Sequence, residues 1–185
     1  DSLQGVNSGE ICFAGVLTEN GAKQHGMVFL MDVSNTRDQA VALSQKINAQ
    51  LTDRGATQKI KSIQGVQYTH SVIDKPKVFR KPRNNFQTIV DIKSTDSSWM
   101  LVSNNEAVFR DVFRRLTNPD KIQAVETLAA QTAFTAVMKQ TELGDHDAQL
   151  RWFVDPFGYM ELAQRIRDDE AVSKVARDDF AKNLA

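Results

Sequence analysis

The chain has 185 residues, 41% of them hydrophobic and 25% charged, the composition of one folded domain or of a domain with an appendage. Lysine plus arginine equals aspartate plus glutamate at 23 each, so no global field draws the protein to nucleic acid or to an anionic membrane. No apolar run approaches the roughly 20 residues needed to span a bilayer, and the one cysteine, Cys12, excludes an intramolecular disulfide and a cysteine-based metal cluster.

Residues 1–9 are polar and contain glycine, and they read as a lead-in. The start at Asp1, without a visible signal peptide, implies a processed or cut N-terminus. Glu10–Thr18 (EICFAGVLT) reads as a first strand, with Cys12 expected as a small buried hydrophobe. Asn20-Gly21 signals a hairpin. Met27–Met31 is a consecutive apolar run, the pattern of a strand buried on both faces. Ser34, Asn35 and Thr36 follow as cap residues, and Thr36 with Gln39 fits a capping box. Ala40, Leu43, Ile47 and Leu51 form one stripe of the helix beyond, and Gly55 stops it.

Gln58–Ile63 reads as a strand with Lys59 and Lys61 on the face away from Ile60. Gln64-Gly65 turns the chain. Val66–Ile73 alternates clearly, with Val66, Tyr68, His70 and Val72 on one face. Asp74–Asn85 breaks the pattern with two prolines and five cations, Lys75, Lys77, Arg80, Lys81 and Arg83, and reads as a long exposed hairpin loop. Phe86–Ile92 resumes a strand, and Trp99–Val102 gives another. Ser103 and Glu106 fit a second capping box. Val108, Phe109, Val112, Phe113 and Leu116 then make a strong amphipathic stripe. Arg114 and Arg115 suit its C-terminal dipole, and Asn118-Pro119 ends it.

Beyond Pro119, Ile122–Thr141 reads as a helix, Ala148–Val154 as a strand, and Asp155-Pro156 as the start of another helix. Arg165–Asp179 is charged with both signs, the pattern of a solvated or partner-facing helix. The pattern runs to Ala185 without a stop, as in a piece of a longer chain. The expected fold is α+β. An antiparallel sheet is built from repeated strand-strand-helix units, with the helices packed on one face. Residues 1–118 form that domain, and residues 119–185 a helix-strand-helix extension.

Several motifs, taken in order, resemble a family of uncharacterised extracytoplasmic bacterial proteins best represented among planctomycetes. They are Gly9-Glu10 at the first strand, FLMDV at Phe29–Val33, the strand led by Gly65, LVSN at Leu101–Asn104, RRL at Arg114–Leu116 and RWFVDP at Arg151–Pro156. The resemblance implies a middle portion of a larger, signal-bearing protein in the periplasm or outside the cell. It carries no activity, cofactor or catalytic residue onto this chain.

The residues themselves offer little chemistry. No nucleophile elbow, P-loop, dinucleotide glycine pattern or zinc-protease helix is present, and Gly5, Gly9 and Gly15 are too scattered to cradle a phosphate. His25, His70 and His146 are far apart in sequence. Asp145-His146-Asp147 reads as a solvated loop before it reads as a cation site. Asp168-Asp169-Glu170 and Asp178-Asp179 lie in the charged helical stretch, where carboxylates face water. No catalytic, cofactor or metal residue is assigned. Three function classes remain. The first is a non-enzymatic structural or interaction module whose partners are other domains of a longer chain or a separate protein. The second is a module binding an anionic polymer through Lys75, Lys77, Arg80, Lys81 and Arg83. The third is a hydrolase with an unrecognised site.

Overall fold

The computed structural model describes residues 5–6, 9–18, 24–74, 82–119, 130–140, 154 and 156–169. Its elements run β1 (Ile11–Thr18), β2 (Gln24–Asp32), α1 (Arg37–Asp53), β3 (Thr57–Ile63), β4 (Val66–Ile73), β5 (Arg83–Ile92), β6 (Ser97–Ser103), α2 (Glu106–Thr117), α3 (Thr132–Gln140) and α4 (Pro156–Asp169). The strands form one open six-stranded sheet in the order β1-β2-β6-β5-β4-β3, and every neighbouring pair is antiparallel. The first strand pair feeds α1, and α1 carries the chain to the far edge. From there β3, β4, β5 and β6 return as a meander that ends beside β2. The two-residue turn between β3 and β4 needs left-handed backbone at both positions, and Gln64 (φ 49°) and Gly65 (φ 82°) supply it.

Side chains alternate across a strand, so the two helices can be assigned to faces. Met31 of β2 and Met100 of β6 join Ala40 and Leu43 of α1 in one buried cluster. Val28 of β2 and Leu101 of β6 join Val108, Phe109 and Phe113 of α2 in another. Met31 and Val28 have opposite parity on the same strand. The sheet is therefore covered on both faces, by α1 on one and α2 on the other. This corrects the expectation of helices on one face. It also corrects the repeat. A rotation that lays β5-β6 on β1-β2 leaves α2 on the opposite side from α1, so the two strand-strand-helix stretches are not equivalent units. The α+β class and the antiparallel sheet stand.

The α2 face carries the aromatic core. Tyr68, Phe86 and Phe109 meet with ring centroids 5.0 to 6.5 Å apart, all tilted. Phe109 and Phe113 are fully buried, each contributing about 1.5–3 kcal/mol from burial alone. On the α1 face, Gln87 is buried and its Nε2 donates to the Ser44 carbonyl (3.2 Å), Ser44 Oγ (3.2 Å) and Asn48 Oδ1 (2.5 Å). That amide ties β5 to α1 where an apolar residue would have been the default. On this same face α4 packs against β1 and β2, with Leu162 seated over Gly15.

The caps differ from the sequence pattern. Thr36 makes no side-chain cap bond to α1; its hydroxyl donates instead to the Val6 carbonyl, tying the lead-in to the helix start. Ser103 does not cap α2. Asn105 does, with Oδ1 accepting from Ala107 N (2.9 Å) and Val108 N (3.1 Å). Ser103 braces that cap by accepting from Asn105 N at 3.2 Å. Gly55 does end α1 in left-handed backbone, at φ 87°. β5 begins at Arg83, so Asn84 and Asn85 belong to a strand and not to the loop. Residues 75–81, 120–129, 141–153, 155 and 170–185 lie outside the described residues, and with them much of the expected helix at 122–141, strand at 148–154 and charged stretch at 165–179.

Candidate functional site

Polar side chains gather on the α2 face, at the N-terminal end of that helix. Glu106 is the centre. Its carboxylate accepts from Lys61 Nζ (3.3 and 3.4 Å), Tyr68 Oη (3.1 Å) and Arg110 (3.0 and 3.2 Å). Arg110 also donates to Tyr68 Oη at 3.1 Å. Partial burial alone would raise the Glu106 pKa, but the hydrogen bonds from Arg110, Lys61 and Tyr68 outweigh it and hold the carboxyl below its ordinary value. Burial, then the bond to Glu106, push the Tyr68 hydroxyl up. Charge and hydrogen bonds close on themselves here. The cluster is a clasp joining β3, β4 and α2, and its chemistry is that of a satisfied ion-pair network.

His70 lies one strand position beyond this clasp. Its ring stacks on Phe86 at 4.3 Å, and Nε2 sits 3.0 Å from Asn84 Oδ1. With that oxygen accepting, Nε2 carries the proton. Nδ1 is buried and without a hydrogen-bond partner among the described residues. Lys61 Nζ lies 6.0 Å over the same Phe86 ring. Among the described residues no carboxylate hydrogen-bonds the imidazole to make it a base of the triad type. His70 is the half-buried strand histidine that alternation implies.

Most of the other sequence candidates lie outside the described residues. Lys75, Lys77, Arg80 and Lys81 lie outside the described residues, and Arg83 opens β5 as an exposed side chain. His146 and its flanking aspartates are outside too. His25, at the start of β2, gives its carbonyl to Asn105 Nδ2 at 3.1 Å. Asp168 and Asp169 end α4, while Glu170, Asp178 and Asp179 fall beyond the described residues. Among the described residues no group of three or more His, Cys, Asp or Glu side chains is placed to hold a metal ion. A shallow open concavity of about 390 Å³ at the C-terminal end of α2 is lined by Asp91, Lys93 and Thr117. Asp91 is already held by Arg37 (3.0 Å, bidentate) and Ser98 (2.7 Å).

The feature the sequence did not reveal is the outer edge of the sheet. β1 is an edge strand whose Ile11 and Phe13 are 49% and 66% exposed. Both project to the α1 face, beside Phe29 of β2, the register partner of Phe13. Cys12, expected in the core, is exposed on the opposite face of the same strand. No charge interrupts β1 from Ile11 to Thr18. The other edge strand, β3, carries exposed Lys59 and half-exposed Lys61. Natural sheets place lysines on edges to discourage pairing; here one edge has them and the other does not.

No family model, curated protein or solved structure matches this chain. No helix among the described residues is long and apolar enough to cross a membrane.

Proposed function

We propose that this chain is a non-catalytic interaction module that docks its partners along the open edge of β1. The observation that carries this reading is an uncharged edge strand with Phe13 66% exposed. Exposed apolar groups on an unguarded strand are what strand addition uses. Main-chain hydrogen bonds supply the affinity, and alternate side chains supply the selectivity. The polar clusters support the reading from the other side, because the Glu106 and Asp91 networks spend their hydrogen-bonding capacity on joining elements of this chain. The resemblance to extracytoplasmic bacterial proteins adds that the module belongs to a larger protein in the periplasm or outside the cell.

Amide hydrogen exchange on the full chain, held at low concentration, tests the edge. The outward amides of β1 should exchange fast alone and slow by at least about tenfold when a library of short extended apolar peptides is added. Phe13→Glu should abolish that protection without lowering the melting temperature. Outward amides that stay fast with every peptide would overturn the reading.

A further inference from the structure

We propose that the partner at this edge is a second copy of the chain, paired antiparallel through β1 so that two sheets become one. The proposal rests on the reading of β1 as the docking edge, and it names the occupant.

The backbone sets which groups are free. Asp32 N donates to the Glu10 carbonyl at 2.9 Å, and those two residues are opposite one another in the β1–β2 register. Hydrogen-bonded pairs alternate along an antiparallel ladder. Cys12, Ala14 and Val16 therefore bond to β2, and the N–H and C=O groups of Ile11, Phe13, Gly15 and Leu17 point out of the sheet. Among the described residues β1 pairs only with β2, and these outward groups meet no other described strand.

The sequence of β1 is suited to itself. An antiparallel pairing about a two-fold axis at Ala14 sets Ile11 against Leu17 of the second copy, Cys12 against Val16, and Phe13 against Gly15. Every pair is uncharged and apolar. Each Phe13 lies across a Gly15 over which Leu162 of α4 is seated, so the ring meets an apolar surface on the α1 face. The same operation on β3 would bring lysines together, since Lys59 and Lys61 occupy its centre, and like charges directly opposed destabilise a strand pair. Self-pairing at β1 meets no such repulsion. It also covers Ile11 and Phe13 of both copies at once, because a two-fold interface uses the same patch twice.

The axis at Ala14 gives a geometric test. Toward the second copy Ala14 is a non-hydrogen-bonded position, where Cα atoms approach to about 4.5 Å, inside the range a disulfide spans. Val16 and its copy would be roughly 13 Å apart along the strands, beyond that range. In a Cys12→Ser background, Ala14→Cys should form a covalent dimer on mild oxidation and Val16→Cys should not. Sedimentation of the wild-type chain should show a concentration-dependent dimer, and Phe13→Lys should raise its dissociation constant at least about tenfold while far-ultraviolet circular dichroism stays unchanged. A chain that remains monomeric at every concentration, or equal cross-linking at positions 14 and 16, overturns the self-pairing. If the chain is monomeric yet the apolar peptides protect its outward amides, only the identity of the partner fails. If neither occurs, the docking edge fails with it.

Discussion

Gly26→Ala should destabilise this protein, although alanine is ordinarily the better strand residue. Gly26 lies in β2 beneath the start of α2. A Cβ built there would stand 2.7 Å from the Asn105 Cβ and 2.8 Å from Val108 Cγ2. Carbon atoms in contact prefer at least about 3.5 Å, so the first turn of α2 must move by roughly 0.8 Å. Three bonds hold that turn in place. Asn105 Oδ1 accepts from Ala107 N and Val108 N at 2.9 and 3.1 Å, and Asn105 Nδ2 donates to the His25 carbonyl at 3.1 Å. Overpacking costs about 1–3 kcal/mol, and weakening the cap costs about 1 kcal/mol more. Replacing a strand glycine returns about 0.5–1 kcal/mol. The net is about 1–3 kcal/mol, or a fall of roughly 3–10 °C in melting temperature for a chain of this size. Thermal and urea denaturation followed by circular dichroism would read it. The double variant with Asn105→Ala should lose less than the sum of the two single losses, because both act on the same turn. An unchanged or stabilised Gly26→Ala protein would show that the strand and helix do not approach this closely.

Three further perturbations test the rest of the frame. Glu106→Gln should lower stability at neutral pH by less than about 1 kcal/mol, since the pair is about one-third exposed on the glutamate side. The folded carboxyl titrates below its ordinary 4.5, so its contribution is complete above that value and fades as pH falls through the depressed one. Urea midpoints for the two proteins should therefore differ at neutral pH and draw together as the pH falls below 4.5. Asn105→Ala should cost about 1 kcal/mol or more in a urea titration, for loss of the only side-chain cap resolved on α2. Gln87→Met should cost about 1–3 kcal/mol, because it keeps the volume but leaves Ser44 and Asn48 acceptors without their buried donor; a neutral result would mean water reaches that site.

Most elements were legible in the sequence because their signals are local. The alternation of Val66, Tyr68, His70 and Val72 and the stripe from Val108 to Leu116 each state a period outright. The arrangement of the layers was in the sequence too. A strand written Met27-Val28-Phe29-Leu30-Met31 is apolar at both parities and needs cover on both faces. Helices confined to one face cannot supply it. The caps misled for a different reason. Ser103 and Glu106 have the right spacing, but Asn105 is a cap residue in its own right. Glu106 is drawn away by Lys61 and Tyr68, which lie more than thirty residues earlier in the chain. A capping box is a local pattern, and here a tertiary ion pair outcompetes it.

The candidate site was hidden by the same limit. Ile11 and Phe13 alternate with Cys12 and Ala14, which in a sequence reads as one half of a strand facing a core. Whether a core lies there depends on which strand sits next, and topology decides that. Because α1 carries the chain past the sheet before the meander returns, β6 takes the inner side of β2 and β1 is left at the margin. Had β3 followed β1 on that side, β1 would be an inner strand and the lysines of β3 would lie inside the sheet. The exposure of Phe13 thus follows from one crossover connection. It also sets what can be expected of the edge: a surface made by topology and left without charge is one that a strand from outside can complete.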